Sequence, residues 1–137
     1  MDWKLILALS GFGVAMGVAT VFVIPSNAEP ACWLAIFLFC AFAIARRSPG
    51  QHFLHGLAVS LVNSVWITAS HVLLFEQYMA HHPQEAAMMR SMPVPESPKV
   101  MMVLFGPIFG CMFGLVLGVF SFVAGKLVKP APAVAVQ

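Results

Sequence analysis

The side chains best able to take part in chemistry or binding lie in one mainly apolar stretch, residues 52–75. On an α-helix with about 100° per residue, its polar groups fall within about 60° of Ser60. We call this set the polar stripe: Ser60, Asn63, Ser64, His71 and, just beyond the stretch, Tyr78. Polar groups on a membrane helix face other helices or a wet cavity. The stripe therefore predicts either hydrogen bonds between helices or a site for a ligand.

His71 is the one residue deep in this stretch that titrates near neutral pH. The simplest interpretation is a histidine that is hydrogen-bonded inside a helix bundle. A second is a proton relay or substrate contact. A third is an axial ligand of a haem or pigment, since axial ligation needs only one imidazole.

Asn63 and Ser64 fall near the middle of the same stretch. Side chains of this kind usually hydrogen-bond across helices, which stabilises a membrane bundle by about 0.6 kcal/mol per contact. The alternative is that they form the floor of a polar cavity. We favour packing and keep the polar stripe as a candidate ligand-binding set.

Imidazole and thioether groups concentrate in the segment that follows, and such ligands suit Cu(I). The copper candidates are His81, His82, Met88, Met89 and Met92. Their spacing contains no repeated Met motif, and methionines at a membrane edge are ordinary apolar filling. We therefore predict no metal site and no cofactor.

The sequence offers little for catalysis. It contains no nucleotide-binding loop, no Ser–His–Asp set and no pair of carboxylates inside an apolar segment. A proton-coupled exporter needs a buried carboxylate, so that class is disfavoured. His52 and His55 are predicted to lie at the membrane boundary. We predict that the protein is not an enzyme.

The elements that must position these groups are membrane helices. The chain has 137 residues, of which 61% are hydrophobic and 9% charged, as in integral membrane proteins. The net charge of +2 is too small to indicate nucleic-acid binding. The prediction is an all-α, four-helix bundle in a single transmembrane domain. Its spans cover about residues 3–24, 31–45, 52–75 and 103–128.

The segments between the spans give further predictions. The second span is almost featureless and is expected to face lipid. The outer loop, residues 79–98, contains a short interfacial helix from Pro83. Pro93, Pro95 and Pro98 then give an extended connection, and residues 130–137 form a tail.

Glycines predict how the helices pack. The last span carries four of them at a spacing of four: Gly106, Gly110, Gly114 and Gly118. They form a groove that lets a neighbouring helix approach closely. We expect its partner to be the small-residue face of the first span, which includes Gly13 and Gly17. Leu117 is predicted to lie off this groove, so a bulky change there, to Phe, should matter less than Gly114→Leu.

The positive-inside rule predicts the orientation. The five basic residues at one end of the predicted bundle are Lys4, Arg46, Arg47, Lys126 and Lys129. The two at the other end are Arg90 and Lys99. The excess places both termini in the cytoplasm, as expected for a multi-pass protein of the bacterial inner membrane.

Two runs of sequence carry a family resemblance. His52-Phe53-Leu54-His55-Gly56-Leu57 and the run from Gly106-Pro107 through Gly118 resemble a family of uncharacterised four-span bacterial membrane proteins. The resemblance implies the four-span architecture and carries no activity.

The leading functional hypothesis from the sequence is a structural or interaction protein, because a long glycine groove accompanies so few catalytic groups. Its partners would be the lipid bilayer together with further copies of itself or other membrane proteins. The second hypothesis is a small-molecule binder or carrier that uses the polar stripe. The third is a haem- or pigment-binding subunit that uses His71.

Overall fold

The computed structural model describes residues 1–91 and 97–129. Within these ranges the chain is all-helical and contains no strand. The helices are α1 (Trp3–Phe22), α2 (Glu29–Arg47), α3 (His52–Leu73), α4 (Phe75–His81), α5 (Pro83–Arg90) and α6 (Pro98–Leu127). Four of them, α1, α2, α3 and α6, are long and apolar enough to cross a membrane. The predicted all-α, four-span class is confirmed at this level.

Local sequence explains where the helices begin. The Asp2 carboxylate accepts a hydrogen bond from the Leu5 N–H at 3.1 Å and so caps α1. The first turns of α2, α5 and α6 contain proline, whose missing N–H is not needed there. Pro98 therefore begins α6, so its prediction as part of an extended connection is wrong. Pro93 and Pro95, like the tail 130–137, lie outside the described residues.

The outer connection contains more helix than the sequence predicted. The short helix expected from Pro83 is α5, and its interfacial position stays a prediction. An additional helix, α4, begins at Phe75 directly after Leu74, which ends α3. Tyr78 consequently belongs to a separate helix that folds back toward the bundle, and not to the continuation of α3.

The central helix of the bundle is α3, because α1 and α6 both pack closely against it. A Cβ added at Gly13 would lie 2.7 Å from Asn63 Oδ1, and one at Gly114 would lie 2.7 Å from Leu57 Cδ1. The other contacts are of the same kind: Gly17 with Ser70, Gly106 with Thr68, Gly110 with Ser64, and Gly118 with Phe53. The expectation that the two small-residue faces meet each other is therefore wrong. Each meets α3.

Leu117 lies in the core, which argues against the prediction that a bulky change there matters less. Its side chain is fully buried, and its carbonyl oxygen would lie 2.6 Å from a Cβ added at Gly56. The core it joins gathers side chains from the first half of α1 and the second half of α2, with Val59 of α3. Apart from Phe37, which lies at the middle of α2, these positions belong to the end of the bundle that carries the chain's start, so the buried core lies mainly at that end.

Helix α2 packs against α6 and makes far less contact with α3. It has one buried face, and the prediction that it faces lipid applies to the exposed side, which includes Leu34, Leu38 and Phe42. The buried residues are Phe37, Cys40, Ala41, Ile44 and Ala45. Because α2 packs mainly against α6, and against α1 in the core, a gap remains between α2 and α3.

His55 is buried within the protein beside the start of α1, and its position at the membrane boundary stays a prediction. Only 2% of its surface is exposed. Its Nε2 accepts a hydrogen bond from the Asp2 backbone N–H at 2.9 Å, and its Nδ1 donates to the Gln51 carbonyl oxygen at 2.9 Å. A neutral imidazole satisfies both bonds. His55 therefore fastens the start of α1 to α3.

The contact between α3 and α6 gives the first prediction. In Gly56→Ala the new methyl group would collide with the Leu117 carbonyl oxygen, which the backbone cannot move cheaply. Overpacking of this kind costs about 1–3 kcal/mol, so the melting temperature in detergent should fall. The control is Gly11→Ala, where a Cβ meets nothing within 4 Å. Equal melting temperatures for the two variants would contradict the packing described.

The second prediction concerns orientation. Ser91 is exposed at the α5 end and Pro49 at the opposite end, whereas Ser48 is buried. In a chain lacking its native cysteines, Ser91→Cys should react with a membrane-impermeant maleimide in intact cells, and Pro49→Cys should not. The positive-inside rule gives this outcome. Labelling of Pro49→Cys alone would reverse the orientation.

Candidate functional site

The whole polar stripe lines a single cavity. The cavity occupies the gap between α2, α3 and α6 and has a volume of about 490 Å³. Ser60, Asn63, Ser64 and His71 reach it from α3, and Tyr78 reaches it from α4. At 1.5 Å per residue, the α3 wall from Ser60 to His71 spans about 16 Å. The cavity therefore extends from mid-bundle to the end covered by α4 and α5.

Aromatic rings form the wall opposite the stripe. Trp33 and Phe37 lie one turn apart on α2, and their rings meet edge-on at 6.0 Å between centroids. Phe37 also meets Phe113 of α6 edge-on at 6.3 Å. Phe105 and Phe109 continue this wall along α6. The lining is thus mainly apolar, with a few polar groups on one side, which is typical of ligand pockets.

Asn63 supplies the side-chain amide of the cavity lining, and only 2% of its surface is exposed. Its Oδ1 accepts a hydrogen bond from the Gly13 backbone N–H at 3.0 Å. Its Nδ2 is buried and has no hydrogen-bond partner among the described residues. The neighbouring Ser64 hydroxyl donates to the Leu61 carbonyl oxygen of its own helix at 2.8 Å. Asn63 therefore fastens α1 to α3 with one atom and leaves a donor unused with the other.

His71 is fixed by its neighbours. The Thr20 hydroxyl donates to the Met16 carbonyl oxygen at 2.9 Å, so its oxygen accepts from His71 Nε2 at 2.9 Å. The imidazole stacks on Tyr78 with 4.1 Å between ring centroids, and Tyr78 stacks on His82 at 4.4 Å. Two rings of this column, those of His71 and Tyr78, line the cavity near its outer end. The hydrogen bond to Thr20 occupies the nitrogen that an axial haem ligand would need, which disfavours that hypothesis.

His82 and Glu29 form a second polar contact at this end. His82 is 1% exposed, and its Nδ1 donates to the Tyr78 carbonyl oxygen at 3.1 Å. Its Nε2 lies 3.4 Å from Glu29 Oε1. Because Nδ1 already carries a hydrogen, a proton on Nε2 or on the Glu29 carboxyl makes this contact attractive.

Glu29, Trp33 and Glu85 line the cavity but were absent from the predicted site. Glu29, Trp33 and Phe37 recur at a spacing of four, which places them on one helix face. That spacing was the available signal for the α2 wall. Glu85 offered none, because its position depends on how α5 folds over the end of the bundle.

The structure separates the predicted copper ligands. His81 is exposed and His82 is buried, whereas Met88 and Met89 line the cavity with Met101 and Met102. Met92 lies outside the described residues. No cluster of three or more His, Cys, Asp or Glu that could hold a metal ion occurs in residues 1–91 and 97–129.

No family model, curated protein or solved structure matches the chain. The resemblance to four-span bacterial membrane proteins therefore stays a prediction, and the site is interpreted from its own geometry.

The third prediction uses Tyr78, the single tyrosine of the chain. Burial, together with the negative charges of Glu29 and Glu85, raises the pKa of Tyr78 above its ordinary value of 10. In an ultraviolet titration at 295 nm, Tyr78 should still be protonated at a pH where a free tyrosine has ionised. Circular dichroism at each pH would verify that the protein stays folded.

A matched pair of variants tests the cause of this shift. Glu29→Gln removes one of the two nearby charges and should lower the pKa of Tyr78. Glu76→Gln removes an exposed carboxylate that lies outside the cavity lining, and should leave the titration unchanged. An ordinary tyrosine titration in the folded wild-type protein would contradict the buried column of rings.

Proposed function

We propose that the protein binds a small, mainly apolar molecule that carries a hydrogen-bond acceptor. The observation that supports this most strongly is that Asn63 lines the 490 Å³ cavity while its buried Nδ2 has no partner among the described residues. A buried donor left unpaired costs about 1–3 kcal/mol. A bound acceptor at this depth would recover that cost.

The rest of the lining fits such a ligand. Aromatic rings of α2 and α6 offer a large apolar surface, and the methionines near the outer end can adjust to ligands of different shape. The cavity volume lies within the range of pockets for drug-sized molecules, about 300–1,000 Å³. The residues proposed to contact the ligand are Ser60, Asn63, Ser64, His71 and Tyr78, together with the aromatic wall.

The interaction hypothesis has lost its main support. It depended on the long glycine groove beside so few catalytic groups, and Gly106, Gly110, Gly114 and Gly118 all contact α3 of the same chain, so the groove is occupied within the protein. Self-association and membership of a larger complex stay predictions without a surface assigned to them. We further propose that the protein is not an enzyme and that it resides in the bacterial inner membrane with both termini in the cytoplasm.

The fourth prediction tests binding with prodan, a neutral naphthalene ketone whose fluorescence reports an apolar environment. Wild-type protein in nanodiscs should bind prodan saturably, above the signal of empty nanodiscs. Asn63→Leu should weaken this binding about tenfold, because the ketone loses its donor. The same variant also loses the Gly13 contact and should be destabilised by about 1 kcal/mol.

Two controls separate binding from stability. The naphthylamine without the ketone should bind wild type and Asn63→Leu alike, since it presents no carbonyl to Asn63. Val65→Leu changes an exposed position on the same helix and should leave prodan binding unchanged. If wild type shows no saturable prodan signal, or if Asn63→Leu only lowers the melting temperature, the stripe serves packing alone and the proposal fails.

A further inference from the structure

We infer that the molecule bound in this cavity is a lipophilic cation, with its charge at the outer end and its apolar body against the aromatic wall. This inference depends on the proposed function, since it assigns the ligand class of the same cavity. It comes from the charges at the outer end, the positions of the basic residues and the type of ring in the lining.

Two carboxylates lie at the outer end of the cavity. Glu29 reaches it from the first turn of α2, and Glu85 from α5. The Glu29 side chain is only 26% exposed. Glu85 Oε2 is buried and accepts no hydrogen bond from the part of the chain that the structure describes. His82 lies 3.4 Å from Glu29 Oε1, and His71, which also lines the cavity, is hydrogen-bonded to Thr20. Even a protonated His82 therefore leaves a negative excess beside the two acids.

The chain's basic side chains do not compensate this charge. All seven Lys and Arg residues belong to the described ranges, and none of them lines the cavity. Arg90 donates through Nε to the Ala86 carbonyl oxygen at 3.3 Å. Lys99 places its Nζ 5.3 Å from the centre of the Phe75 ring, which also lies outside the lining. The two carboxylates therefore favour a positive group brought by the ligand.

The rings beside these carboxylates indicate which kind of cation. Trp33, Tyr78 and Phe105 line the outer half of the cavity, and aromatic faces attract cations most strongly when the cation has lost its water. Small metal cations need about six oxygen ligands, and this lining supplies few oxygen atoms. Ammonium or phosphonium ions with apolar substituents meet both the charge and the apolar surface.

The unused donor of Asn63 supports a ligand by an independent route, because it lies deeper than the carboxylates and is 2% exposed. It also predicts where the ligand's neutral polar group belongs. A cation with an acceptor in its apolar body would use both ends of the cavity.

The fifth prediction compares two ions of the same shape and opposite charge. Tetraphenylphosphonium and tetraphenylborate each carry four phenyl groups around one central atom. Each ion is titrated into wild-type protein that has prodan bound, and the loss of prodan fluorescence reports competition. Ion-selective electrodes measure the free concentration of each ion. We expect the phosphonium to compete at a free concentration about tenfold lower than the borate, which corresponds to one favourable charge contact.

Variants then assign the preference to its residues. Glu29→Gln combined with Glu85→Gln keeps the side-chain shapes and removes both charges, so the ratio between the two ions should fall toward one. Glu76→Gln removes an exposed carboxylate from the same side of the protein and should leave the ratio unchanged. If the double variant does not fold, the comparison of the two ions on wild type still decides the question.

The possible failures are distinguishable. Saturable prodan binding with no preference for the phosphonium would overturn the cation assignment and leave the proposed function intact. The cation assignment would also fail if Glu76→Gln lowered the ratio as much as the double variant does, because the effect would then be one of overall charge. Absence of prodan binding would remove the proposed function itself.

Discussion

The close approach of α1 and α6 to α3 is the constraint on which the rest of this structure depends. Glycine at Gly13 and Gly56 removes the Cβ that would keep backbones apart, and dispersion contacts then hold helices together without a hydrophobic driving force in lipid. Because α3 is occupied on both of these sides, α2 packs mainly against α6 and the first half of α1. The cavity is a consequence of this unequal packing.

The packed region and the open region lie at opposite ends of the bundle. One end is filled by the buried core and fastened by His55, whose two ring nitrogens both take part in hydrogen bonds. The other end contains the cavity, covered by α4 and α5. Polar groups are used accordingly. At the closed end most of them are paired, with Ser121 Oγ as an exception, whereas at the open end Asn63 and Glu85 keep atoms that no described residue satisfies.

The sequence predicts the spans and the polar stripe because hydropathy and helical periodicity are local properties. It also indicates that glycines mediate packing. It does not predict which helix meets them, because several helix faces are similarly apolar. Tertiary packing decides that Gly114 lies opposite Leu57. The fold-back after Leu74, which places Tyr78 between His71 and His82, has no local signal either. The sequence therefore predicts the α3 side of the site but not the wall that faces it.

The position of the two carboxylates at the outer end has a consequence for energetics in a living cell. With the predicted orientation, the proposed ligand would keep its charge at the outer end, beside Glu29 and Glu85, and only its apolar body would reach the middle of the bundle. The transmembrane voltage acts on one elementary charge with about 2.3 kcal/mol per 100 mV for a full crossing, but a charge held at the outer end crosses little of it. Occupancy of the cavity would therefore follow the outside concentration of the ligand and depend little on the membrane potential.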